Sequence, residues 1–137
     1  MTMPTPTGLL LFAHGARDPN WALPFQAVAR QCRAARGEAD DGPSTVALAF
    51  LEFMTPDLVT AGAHLVAAGC CTVVVVPLFL GAGGHVRKDI PRLLDELRSA
   101  HPATTFTLQP AVGESPRLAQ AMAEIALEAG AQPGARP

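Results

Sequence analysis

Three residues in this chain combine a reactive side chain with a place directly after an apolar run: His14 in "FAHGARDP", Glu52 in "AFLEFMTP" and His85 in "PLFLGAGGHVRKDIP". An imidazole exchanges protons near neutral pH and ligates borderline divalent ions, and a carboxylate can do both. Two imidazoles and one carboxylate brought together would make a sparse site for a metal ion or a proton. Blander readings exist for each. His14 can hydrogen-bond a neighbouring backbone group at a tight strand-to-helix turn, and Glu52 can cap the helix that follows it. His85 has few side chains to pack against, because Gly81, Gly83 and Gly84 precede it. Glycines there allow close approach of a flat or charged ligand, and exposed N–H groups at a helix start favour anions. The loop matches neither GxxxxGK[ST] nor GxGxxG, so a nucleotide cradle is the weaker idea. His64 falls on a solvated helix face and His101 at a helix end, where neither calls for a chemical role.

The elements that must position these residues alternate regularly. "GLLLFAH" (8–14), "STVALAF" (44–50), "TVVVVPLFL" (72–80) and "TFTLQPA" (105–111) read as strands. Continuous rather than alternating apolarity implies a parallel sheet covered on both faces. Between them lie amphipathic stretches. Trp21, Phe25, Val28, Ala29 and Cys32 share one helix face, with Asp18-Pro19 as a start signal. Pro24 then belongs to an irregular first turn, or the regular helix begins near Leu23. "TPDLVTAGAHLVAAG" opens on Thr55-Pro56 and closes on Gly69. "DIPRLLDELRSA" carries Ile90, Leu93, Leu94 and Leu97, and "SPRLAQAMAEIALEAG" carries Leu118, Met122 and Ile125. The order βαβαβαβα predicts a four-stranded, doubly wound parallel sheet of the flavodoxin-like class, an α/β three-layer sandwich. In such sheets the ligand crevice lies beyond the carboxyl ends of the strands, where His14, Glu52 and His85 fall.

Composition narrows the partners. The 137 residues suit one domain over 8–130, with a disordered lead-in at 1–7 and a flexible tail at 131–137. No apolar stretch reaches the roughly 18 residues of a membrane span, and the N-terminus lacks the pattern of a secretory signal, so a cytoplasmic protein with no membrane partner is expected. With 10 basic against 12 acidic residues and no tyrosine, a nucleic-acid surface is not expected. Three cysteines cannot all pair, and the vicinal Cys70 and Cys71 enter an apolar strand, so they read as small hydrophobes rather than a redox or metal site.

"LLLFAHGARDP", "ALAFLEFMTPDL" and "VVVVPLFLGAGGHVRKDIP" together resemble the signature segments of the class II sirohydrochlorin chelatases in their short, single-domain form. The resemblance runs from about Gly8 to Leu127, and its most specific part is the GGHxxxDIP element after a valine-rich strand. Ala16 departs from it, standing where the family pattern has the serine of HGSR, which removes a hydroxyl near the site. The resemblance implies a chelatase-like fold and a lyase-type metal chelatase that inserts a divalent metal into sirohydrochlorin without ATP, in cobalamin or sirohaem biosynthesis. Its metal-binding histidines fall on His14 and His85, and its glutamate after the second strand on Glu52. Cobalt is the first expectation for the metal and iron the next. The ion is a substrate, and no cofactor is expected to be permanently bound.

These residue types suit that task. Two pyrrole N–H protons must leave the macrocycle, and the ion must exchange water for ring nitrogens. Two neutral imidazoles hold an ion weakly enough to release it, and they or Glu52 can take the protons. Gly83 and Gly84 leave room for a flat ring, and Arg17, Arg87 and Lys88 can meet its carboxylates. Longer members of the family carry two such domains across one cleft, so a homodimer is expected here. A non-catalytic carrier of metal or tetrapyrrole on the same fold is the alternative.

Overall fold

The four apolar runs become four parallel strands in one sheet: β1 (Thr7–Ala13), β2 (Val46–Phe50), β3 (Thr72–Pro77) and β4 (Thr105–Leu108), in the order β2-β1-β3-β4. The computed structural model describes residues 6–39, 41–81 and 83–131, with the side chain of His85 outside that description. Most of the expected lead-in and tail also lie outside the described residues. The third and fourth runs stop short of their expected ends. Pro77 closes β3 and Pro110 follows β4, and neither can donate to a ladder. Single bonds still carry the pairing onward, from Leu78 N–H to Phe12 O (2.7 Å) and from Gln109 N–H to Val75 O (2.9 Å).

Three α-helices connect the strands, α1 (Leu23–Ala35), α2 (Leu58–Ala67) and α3 (Gly84–Ala100), and a fourth, α4 (Pro116–Gly130), follows β4. A 3₁₀ turn at Pro19–Ala22, capped by Asp18, precedes α1 and leaves Pro24 in the first helical turn, where no intrahelical donor is needed. The start of α2 differs from expectation. Its cap is Asp57, whose carboxylate accepts from Thr60 N–H at 2.8 Å, while Thr55 and Pro56 (joined by a cis peptide) stay outside the helix. The reason is that Pro56 O is already taken by Phe50 N–H at 2.9 Å, which ties this segment to β2. Gly69 follows the helix with φ +94, as its place after the last turn requires.

Alternate residues of β1 divide the core between the two faces. Leu10 and Phe12 join Leu58, Ala61 and Leu65 of α2 and Ile90, Leu94 and Leu97 of α3 in the main cluster. Leu11 joins Ala29 of α1 and Val46 on the other face. Gly62 allows α2 to approach α3, since a Cβ there would meet the Leu97 side chain. At the amino ends of the strands, burial alone would raise the Glu38 carboxyl. Hydrogen bonds from Ser44 (2.6 Å) and from Thr45, with the nearby Arg36 charge, outweigh it and hold the group below its ordinary value. The cysteines are all free, and burial pushes the Cys70 thiol up, away from reactivity.

One helix stands apart. None of the residues of α4 is buried, and Met122, Ile125 and Leu127 are 48%, 68% and 73% exposed. On the α1 side of the sheet, Val74 and Val76 are only half-buried and Thr105 and Thr107 are exposed. A groove of about 370 Å³ opens there, lined by Val76, Gln109, Ala111 and Arg117 among others.

Candidate functional site

Strand order places the chemistry. From β1 the chain crosses first to β2 on one side and later to β3 on the other, so the sheet's switch point lies between β1 and β3. His14 follows β1 directly, and the glycine-rich turn ending in His85 follows β3. The rim is built by extending the sheet: Leu51 N–H donates to Ala13 O at 2.9 Å and Glu52 N–H to His14 O at 3.1 Å. This pairing requires Gly15, which has φ +96 and where a Cβ would collide with the Glu52 carbonyl oxygen.

Backbone pairing brings the side chains of His14 and Glu52 into contact, Nε2 to Oε1 at 2.9 Å. Both remain open to solvent, at 45% and 48% exposure, so an ion or substrate can reach them. With the proton on Nε2, the ring donates to the carboxylate and its Nδ1 lone pair is free for a metal or an incoming proton. The Phe79 ring sits edge-on to His14, 6.1 Å between centroids, and limits the imidazole's movement on the β3 side. Among the described residues no three His, Cys, Asp or Glu side chains converge as metal ligands.

The remaining expected residues are distributed around this pair. His85 lies in the first turn of α3, and its side chain is outside the described structure. Gly83 caps α3, and at Gly81, Gly83 and Gly84 a Cβ would meet nothing within 4 Å, so the turn borders open space. Arg17 is exposed, with its guanidinium 5.0 Å from the Phe53 ring centroid. Arg87 lines a cleft of about 270 Å³ with Phe79, Ile90, Leu108, Gln109 and Glu114. Lys88 is exposed on α3 and is not part of that lining. His64 is exposed on α2, and His101 caps the end of α3 against Phe106. Sequence reasoning passed over Phe53, Phe79 and Leu80. Phe79 and Leu80 fall at the end of the third apolar run and Phe53 just after the second, and nothing in a sequence alone distinguishes a buried phenylalanine from one at a rim.

The architecture is a doubly wound α/β sheet whose carboxyl rim carries an imidazole–carboxylate pair, with His14 beside the β1–β3 switch point and Glu52 on the β2 side. The model of the CbiX family matches residues 8–129, and the chain belongs to that family. A sirohydrochlorin cobaltochelatase of Sulfurisphaera tokodaii is 31% identical over 117 residues, covering 85% of this chain and 88% of its own. One from Saccharolobus solfataricus is 39% identical over 87 residues, 64% of this chain and 62% of its own. Among solved structures, a CbiX protein from Marinobacter aquaeolei VT8 aligns with a TM-score of 0.75 at 31% identity, over 90% of this chain and 97% of that one. The sirohydrochlorin chelatase SirB from Bacillus subtilis subspecies spizizenii, solved with cobalt, aligns with a TM-score of 0.69 at 24% identity. That likeness is one of fold. It covers 89% of this chain and 50% of SirB, so this chain spans half that protein's length.

Proposed function

We propose that this chain inserts a divalent metal ion into sirohydrochlorin without ATP, with Co2+ as the first substrate ion and Fe2+ as the next. The observation that carries the reading is the solvent-open His14–Glu52 pair on the carboxyl rim of a CbiX-family sheet. Names of relatives support the substrate, since two of them are sirohydrochlorin cobaltochelatases.

In the reaction a hydrated dication exchanges water for four ring nitrogens, and two pyrrole protons leave. His14 and His85 are the residues that receive the ion, and their small number lets the macrocycle compete for it. Glu52 orients His14 through Nε2 and is placed to accept a departing proton, and the open rim passes protons to water. Arg17, Arg87 and Lys88 meet the peripheral carboxylates, and Gly83 and Gly84 keep the approach clear. The 270 Å³ cleft beside Arg87 is too small for a whole tetrapyrrole and suits one of its edges. The ion passes through as substrate, with no permanent cofactor, and the cytoplasm is the proposed compartment. No described helix is long and apolar enough to cross a membrane.

The working unit in this reading is a homodimer. The exposed apolar stripe of α4 and the half-bare sheet face at β3 and β4 support this reading, since both are left open among the described residues. A second copy matches them if each α4 covers the other's sheet, and the part of this chain that aligns with SirB covers half of that protein, as one of two copies would. Turnover separates the enzyme from a carrier. With sirohydrochlorin and Co2+ each in tenfold excess over protein, the tetrapyrrole absorption should convert completely and faster than without protein. Conversion that stops at one equivalent would contradict the proposal and favour a carrier.

A further inference from the structure

Two large apolar side chains stand open to solvent at the rim, Phe53 at 59% and Leu80 at 70% exposure. Because β1 lies between β2 and β3, the loops that follow those two strands flank His14 on opposite sides. Phe53 adjoins Glu52, which touches His14, and Leu80 adjoins Phe79, whose ring contacts it. Both backbones are pinned while the side chains stay largely exposed, Phe53 with the Arg17 guanidinium over one part of its ring. Phe53 is held at φ 66, a left-handed conformation that bulky residues rarely adopt, next to the Gly15–Glu52 close approach. Leu80 is backed by Gly113, where a Cβ would collide with the Leu80 backbone, and Gly113 N–H donates to Phe79 O at 2.9 Å. A fold that fixes two apolar side chains toward water on either side of a polar pair offers a surface for something flat and apolar with a polar centre.

We propose that Phe53 and Leu80 form the seat for the tetrapyrrole face, one on each side of the His14–Glu52 pair, holding the ring nitrogens over it. Arg17, already stacked on Phe53, stands at the edge of that seat and meets a peripheral carboxylate. The inference rests on the chelatase reading and deepens it: these are positioning residues for the macrocycle, separate from those that receive the ion. The other occupant such a patch could have is a second copy of the chain. The carboxylate-bearing macrocycle is favoured because the patch surrounds the reactive pair and carries its own cation.

Direct titration of the full-length protein with metal-free sirohydrochlorin, and separately with Co2+ alone, tests this. Phe53→Ala and Leu80→Ala should each weaken sirohydrochlorin binding about tenfold, the range of losing one stacking or apolar contact, and the double variant about a hundredfold. Phe53→Tyr should bind like wild type, Co2+ affinity should not change, and the loss should fall on KM rather than kcat. Because both side chains are exposed, melting curves should superimpose. Sirohydrochlorin binding within twofold of wild type in both alanine variants would overturn the seat while leaving the chelatase reading intact. An equal loss of Co2+ affinity, or a change in oligomeric mass, would also overturn it, in favour of a role at the metal pair or between copies. A wild-type protein that neither binds nor metallates sirohydrochlorin would overturn both readings.

Discussion

Gly15 shows how one residue decides whether the site exists. Its φ of +96 and the collision that a Cβ would have with the Glu52 carbonyl leave room only for hydrogen. Gly15→Ala should therefore destabilise the protein by about 2 kcal/mol or more, from backbone strain and the displaced rim together. A lower thermal midpoint accompanied by weaker Co2+ binding would bear this out, and an unchanged midpoint would refute it. Glu52 is a different kind of dependence. Glu52→Gln can keep a hydrogen bond to His14 but loses the charge that orients and strengthens the imidazole. Loss of such a partner lowers metal affinity or activity by about 10–100-fold. Initial rates of sirohydrochlorin metallation should fall in that range with the fold unchanged, and a rate equal to wild type would remove Glu52 from the chemistry.

Among the secondary-structure elements, α2 depends on its cap. Asp57 is held below its ordinary value of 3.8 by hydrogen bonding from Thr60, through its side chain and then its backbone N–H. A group whose folded value is depressed stabilises the protein above the unfolded value, and that gain disappears as pH falls through the folded value. Asp57→Ala should cost about 1 kcal/mol at neutral pH. The gap between variant and wild type should close in acid below about pH 3.8, measured by urea unfolding at several pH values. The cap itself was hard to read because Thr55 and Asp57 are both good capping residues, and only the pairing of Pro56 O with Phe50 N–H decides between them. The strands were easier. Runs such as TVVVV admit little besides a buried strand, and the overestimates lie at their edges: the proline-limited ends of β3 and β4 and the start of β2, which begins at Val46. Pro24 left two starts open for α1, and the later one holds: the regular helix begins at Leu23, after the 3₁₀ turn, with Pro24 in its first turn.

For the whole molecule, the apolar stripe of α4 was visible as a pattern, but periodicity says only that a face needs a partner, not that the partner is absent from the same chain. If a second copy supplies it, wild-type protein should sediment at twice the 14.2 kDa chain mass. Ile125→Glu, at an exposed position, should then shift it toward monomer while metallation activity falls. A wild-type monomer at working concentration would contradict the dimer. The candidate site was legible in part. His14 and Glu52 could be placed on one rim from strand ends alone, because parallel strands share their carboxyl edge. Their direct contact depends on register, which places Glu52 N–H on His14 O and is not written in either segment. Phe53 was invisible for the same reason, since its exposure follows from a left-handed turn. In the proposed function His14 receives the ion on its way into the ring. The initial rate of Co2+ insertion into sirohydrochlorin by wild type and His14→Ala, each against a protein-free control, tests it most directly. The predicted result is a loss of at least about a hundredfold in the protein-dependent rate, with an unchanged melting temperature. A His14→Ala protein that metallates sirohydrochlorin at the wild-type rate would contradict the account.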